Sequence, residues 1–177
     1  MQKRRALDER GPVHPQRRVA ALPLEIADIL SPQAVFLRLK AANKKKLIAE
    51  LAACAGTVAS LDEGRVFEQL WEREKLTSTG VGHGVAIPHA RLPKLERIIG
   101  MFVRMDESID FESIDEAPVD LVFTLLTPAD AGADHLKALA RVSRLMRNAA
   151  VCEKLRAAND RAQLYALLTE PTAMQAA

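Results

Sequence analysis

Side chains capable of chemistry are concentrated in REKLTSTGVGHGVAIPHAR, Arg73 to Arg91, which holds three hydroxyls, three glycines, two histidines and two arginines. Such a composition serves a core poorly. Glycine lets the backbone approach a ligand or adopt positive φ, and Ser and Thr supply hydroxyl donors. Thr77 to Gly84, with Ser78, Thr79 and Gly80 as the phosphate-loop candidates, therefore suits an anion-binding surface. A turn-rich connector has the same composition. His89 follows Pro88 and the apolar Val85, Ala86 and Ile87, which predicts an imidazole emerging at the end of a strand with its approach fixed by the proline ring. Neutral imidazole is a nucleophile that accepts a phosphoryl group on one nitrogen while a hydrogen bond holds the other. A structural histidine is the plainer alternative.

Two further residues could serve the same chemistry. His135 sits at the predicted start of a helix after Gly132 and Asp134, where exposed amides attract anions and disfavour a charged ring. It would steady a phosphoryl group, or stand as a surface histidine in a first turn. Arg73 offers fork geometry for phosphoryl oxygens, or is a solvated charge at a helix end. His83 and His89 form the one close histidine pair, but six extended residues span about 20 Å, too far for one metal ion. No metal site is expected. The glycines at 80, 82 and 84 miss the dinucleotide register, because position 85 is Val and a helix rather than a strand precedes them. No Gly-Lys-Ser or Gly-Lys-Thr follows, which excludes a phosphate-binding P-loop.

Positioning these residues falls to alternating helices and strands. Helical spacing predicts helices over Asn43 to Ala55, with Asn43 as cap, and over Leu61 to Glu74, where Val66, Phe67, Leu70 and Trp71 share a face. Val85 to Ile87, Ile98 to Met105 and Val119 to Leu126 are apolar strands, the last buried on both faces. Leu136, Leu139, Val142, Leu145 and Met146 repeat at helical spacing, and helices over Ala150 to Ala157 and Asp160 to Leu168 close the chain. The expected fold is α/β, a single-domain sandwich with a central mixed sheet flanked by helices.

The bulk properties agree with one domain: the chain has 177 residues, 49% of them hydrophobic, and a net charge of +2. That charge is uneven. The first 18 residues carry six Lys or Arg against two acidic residues, leaving the remainder slightly negative. Residues 1–21 are expected to be a disordered basic extension, a nucleic-acid-binding arm being the alternative. Residues 22–170 would form the domain and 171–177 a flexible end. No apolar run approaches the roughly 18 residues of a membrane span, and no signal-peptide core is present, so a cytoplasmic protein is expected. Cys54 and Cys152 lack metal-type spacing and are expected to be small buried hydrophobes.

Taken together, these segments resemble the type-2 (fructose/mannitol/nitrogen) enzyme IIA domain of the bacterial phosphoenolpyruvate-dependent phosphotransferase system, from about Leu22 to Leu168. REKLTSTGVGHGVAIPHAR resembles the family's Arg, then S-T-G, then G-x-A-I-P-H. A second stretch, APVDLVFTLLTPADAGADHLKALARVSRLMRN, is similar to its P-V-D-L strand and following His-Leu, and is most like the nitrogen-regulatory branch. The resemblance implies that His89 is the phosphorylated histidine, His135 the second active-site histidine and Arg73 the residue that neutralises phosphate charge. His83 stands where relatives often carry another polar residue. The resemblance also implies a phosphorylated HPr-like (NPr) carrier as donor, regulated targets such as sensor kinases or potassium transport proteins, and no cofactor. Two alternatives are the IIA component of a sugar permease and a binding module that has kept the fold without phosphorylation.

Overall fold

The computed structural model describes residues 24–171. The expected N-terminal extension, residues 1–21, lies outside this range, as do residues 172–177 of the expected C-terminal end.

Four helices begin where a side chain can accept a hydrogen bond from an otherwise unpaired first-turn amide. Asn43 caps α1 (Lys44–Ala59) at 2.9 Å from the Lys46 amide, and Asp62 caps α2 (Glu63–Leu76) at 2.7 Å from that of Arg65. Asn148 and Asp160 do the same for α4 (Ala149–Ala157) and α5 (Arg161–Thr169), at 3.3 and 2.8 Å. α3 (Ala133–Met146) instead enters from Gly132 at φ 53° without a side-chain cap. The helices fall where apolar spacing places them, with ends displaced by a few residues.

The strands are β1 (Leu30–Leu39), β2 (Gly80–Gly82), β3 (Val85–Ala86), β4 (His89–Leu92), β5 (Ile99–Ile109) and β6 (Val119–Pro128). Among the described residues they form one six-stranded sheet in the order β1-β5-β6-β3-β2, with β4 also paired to β6. It is mixed: β1 runs parallel to β5, β3 and β4 run parallel to β6, and β5 with β6 and β2 with β3 are antiparallel. β6 is buried over nearly its whole length, in keeping with its largely apolar sequence. Helices α1 and α2 pack on each other, α2 lies against β4, α3 against β6 and α5 against β1. The α/β expectation is met.

The sequence pattern does not show β1, β2 and β4. β1 carries Pro32, Arg38 at φ 62° and a register shift between Leu30 and Val35, so period-2 alternation never develops. An edge position tolerates this, because a proline there withholds no ladder donor that the sheet needs. β2 is three residues of glycine and valine, and it turns into β3 through Gly82, His83 and Gly84, all at positive φ. β4 corrects the placement of His89. β3 and β4 lie end to end along β6, Val85 and Ala86 opposite Leu121 and Val122, then His89 to Leu92 opposite Leu125 to Pro128. Pro88 lies in the break, where it has no N–H to give to the ladder while its carbonyl accepts from the Leu125 amide at 3.0 Å. His89 therefore opens a new strand instead of closing the previous one.

Candidate functional site

The pairing of β4 with β6 sets His89 opposite Leu125 and Arg91 opposite Thr127, so these residues share one face at the end of the sheet. Packing of α2 on β4 brings the last turn of that helix over the imidazole. Arg73 donates from Nε to Nε2 of His89 at 3.2 Å, and from Nη1 to the Thr77 carbonyl at 2.9 Å. Nδ1 of His89 lies 2.9 Å from the carbonyl oxygen of Ile87. A carbonyl only accepts, so Nδ1 carries the proton, and Nε2, which accepts from Arg73, carries the lone pair. Both contacts select the same tautomer. Burial above all holds the His89 pKa below its ordinary 6.5, outweighing the raising effect of the Ile87 carbonyl, while the Arg73 charge lowers it further and Glu74 raises it. The half-buried ring is neutral at pH 7.

His135 comes from the first turn of α3 to meet this ring, with centroids 5.8 Å apart and planes inclined by 49°. It is no surface residue, being only 6% exposed. Its Nδ1 is 2.8 Å from Oγ1 of Thr127 on β6. Burial first, then the charges of Arg91 and His89, lower its pKa below 6.5. The sequence brings none of Thr127, Arg91 and His135 together. A hydroxyl inside the buried run VDLVFTLLTP was the available signal, since a buried polar group needs a partner.

Ser78, Thr79 and Gly80 lead from α2 into β2, and hydrogen bonds within the protein hold them. The Ser78 hydroxyl donates to the Phe111 carbonyl at 3.1 Å and accepts from the Gly80 amide at 3.2 Å. The Thr79 amide lies 3.1 Å from each carboxylate oxygen of Glu74, and its hydroxyl also donates to that carboxylate. These residues brace the site. Sequence reasoning passed over Glu74, which the fold places with Val66 and Leu70 on the buried stripe of α2, so a carboxylate holds an apolar position.

The remaining candidates stand apart. His83 occupies the β2–β3 turn, its amide donating to Asp115 at 2.8 Å and its carbonyl accepting from Arg156 at 2.9 Å. No cluster of metal-ligating side chains occurs among the described residues. Cys54 and Cys152 are buried and free, and burial together with Glu50 pushes the Cys54 thiol up to about 11, which leaves little thiolate. No described helix is long and apolar enough to cross a membrane.

A neutral, oriented imidazole flanked by a guanidinium and a second imidazole is equipped to accept and stabilise a phosphoryl group. Residues 28–170 match the family model described as phosphoenolpyruvate-dependent sugar phosphotransferase system, EIIA 2. The nitrogen regulatory protein of Bradyrhizobium diazoefficiens is 52% identical over 153 residues, spanning 86% of this chain and 100% of that protein. Its counterpart in Escherichia coli K12 is 36% identical over 148 residues, 83% of this chain and 91% of the relative. The crystal structure of nitrogen regulatory protein IIA-Ntr from Neisseria meningitidis superposes with a TM-score of 0.77 at 35% identity, over 81% of this chain and 99% of that one. The matched range takes in the whole described sheet together with Arg73, His89 and His135, and the chain belongs to the EIIA 2 family of the phosphoenolpyruvate-dependent sugar phosphotransferase system.

Proposed function

We propose that this protein is a phosphocarrier of the nitrogen-regulatory type, accepting a phosphoryl group on Nε2 of His89 from a phosphorylated HPr-like (NPr) carrier. The observation that carries this reading is the tautomer of His89. With Nδ1–H held by the Ile87 carbonyl, the lone pair stands on Nε2, beside Arg73. A new N–P bond forms at Nε2 as the donor's bond to phosphorus breaks and its electron pair returns to the donor. No proton need move, and the positive charge gained by the ring is stabilised by the Nδ1–H bond to the carbonyl. Arg73 occupies the lone pair at rest, and its guanidinium transfers that hydrogen bond to an incoming phosphoryl oxygen. His135 is neutral. With the Thr127 hydroxyl donating to Nδ1, its Nε2–H becomes a donor for a second oxygen. Transfer of this kind depends on positioning and charge stabilisation more than on covalent help from the protein.

The nitrogen-regulatory assignment rests on the names and coverage of the relatives. It makes the phosphorylation state a signal, read by regulated targets such as sensor kinases or potassium transport proteins. Incubation with enzyme I, an HPr-like carrier and phosphoenolpyruvate is expected to add one acid-labile, base-stable phosphoryl group. His89→Ala should abolish it, and stoichiometric labelling of that variant would overturn the assignment.

A further inference from the structure

The two nitrogens of His89 trace back to neighbouring residues of α2. Arg73 reaches Nε2 directly. At Nδ1 the contact is indirect: the Ile87 carbonyl accepts from the ring at 2.9 Å, the Ile87 amide donates to the Thr79 carbonyl at 2.9 Å, and Thr79 is held through its amide and hydroxyl by the carboxylate of Glu74. Glu74 is 4% exposed. Lys44, at the first position of α1, lies 2.8 Å from Oε1 of Glu74 and 2.9 Å from Oε2 of Glu112. A residue 68 positions away in sequence from Glu112 thus reaches both carboxylates at once.

We propose that Glu74, anchored by Lys44, is a positioning residue for phosphoryl transfer: through Thr79 and Ile87 it fixes the orientation and tautomer of His89. This rests on the phosphocarrier reading above. The chemistry of the contacts favours it over a purely structural ion pair. Three donors converge on Glu74, namely the Thr79 amide, the Thr79 hydroxyl and the Lys44 ammonium, and only an acceptor without hydrogens satisfies all of them. Burial, the largest single influence on Lys44, works against its charge, but the two carboxylates more than offset it and its pKa is raised, so the ammonium persists. Fixing Thr79 fixes the carbonyl that receives Ile87, and a fixed Ile87 carbonyl keeps the proton on Nδ1. The nucleophilic lone pair is then always on the nitrogen beside Arg73. Tethering both nitrogens to adjacent residues of one helix makes any movement of that helical turn a movement of the whole acceptor.

Glu74→Gln tests the chain, because the amide keeps the shape but puts a donor where donors already converge. The imidazole 15N shifts of the unphosphorylated protein, measured above the His89 titration, should show the Nδ1–H form in the parent and a mixture of tautomers in the variant. Single-turnover transfer from a phosphorylated HPr-like carrier should slow about tenfold at saturating carrier, with the half-saturating concentration changed less than about twofold. Lys44→Met should shift both in the same direction by less. The double variant Lys44→Met/Glu74→Gln removes the ammonium that has lost one of its two carboxylate partners in the single variant, so it should regain thermal stability but not the tautomer or the rate. A parent-like tautomer and rate in Glu74→Gln overturns the proposal, as does a double variant that recovers rate together with stability. Should the tautomer shift while even the parent takes no phosphoryl group, the positional chain stands and the phosphocarrier reading falls.

Discussion

At the scale of single residues, the proposed phosphocarrier chemistry separates an acceptor from its helpers. In that proposal His89 supplies the nucleophile, whereas Arg73 and His135 supply charge and a hydrogen bond to groups that become more negative during transfer. Loss of one such stabilising group slows a reaction by about 10²- to 10³-fold with the nucleophile intact. Arg73→Ala and His135→Ala are therefore expected to be labelled on His89, but slowly. The guanidinium is a permanent cation, so the Arg73→Ala defect should persist at every pH at which the parent works. Time courses of labelling decide this, and a variant labelled at the parent rate shows that its residue is only a neighbour. Arg73, His89 and His135 were legible because each lies within a recognisable run. Thr127 and Glu74 were not, since a threonine in a strand and a glutamate in a charged helix are commonplace until their contacts are known.

Elements act by holding these side chains in register. The break between β3 and β4 frees the Ile87 carbonyl for His89, while the β2–β3 hairpin presses Gly80 against the segment before β6. A Cβ on Gly80 would lie 2.3 Å from Oγ and 2.9 Å from Cα of Ser113, the second being backbone that a rotamer change cannot move. Gly80→Ala is expected to cost about 1–3 kcal/mol, the usual range for overpacking, and to lower the melting temperature by several degrees. Because the Gly80 amide also bonds Ser78, and Thr79 is next in line, transfer should slow in the same variant. An unchanged melting curve would show that the Ser113 segment yields freely. The helices were legible to within a few residues, since their apolar stripes and Asn or Asp caps are local. Strands β1, β2 and β4 were hidden because short, proline-broken or glycine-rich segments become strands only when β5, β6 or β3 supplies the partner.

For the whole molecule, burying two neutral histidines couples the site to stability. Both His89 and His135 have pKa values below the ordinary 6.5, chiefly through burial. As pH falls through 6.5 the unfolded chain takes up these protons first, so the unfolded state binds more protons than the native one and stability declines. Stability from these two groups is fully present above pH 6.5 and is lost progressively below it. Urea midpoints measured across that range should fall with acidity, and the fall should be shallower for His135→Phe, which removes one of the two groups. An equal slope in both proteins would place His135 outside the linkage. At this scale the division between sequence and tertiary structure is clear. The amino-acid sequence alone determined the fold class, the helices, the central apolar strand β6 and the identity of the residues suited to phosphoryl chemistry, because periodicity, capping and residue type are properties of neighbours along the chain. Only the tertiary structure decided which nitrogen of His89 carries the lone pair, that His135 is buried against Thr127, and that Lys44 and Glu74 stand behind His89. Those facts depend on contacts between segments far apart in the chain, where no local pattern records which groups will share one low-dielectric site.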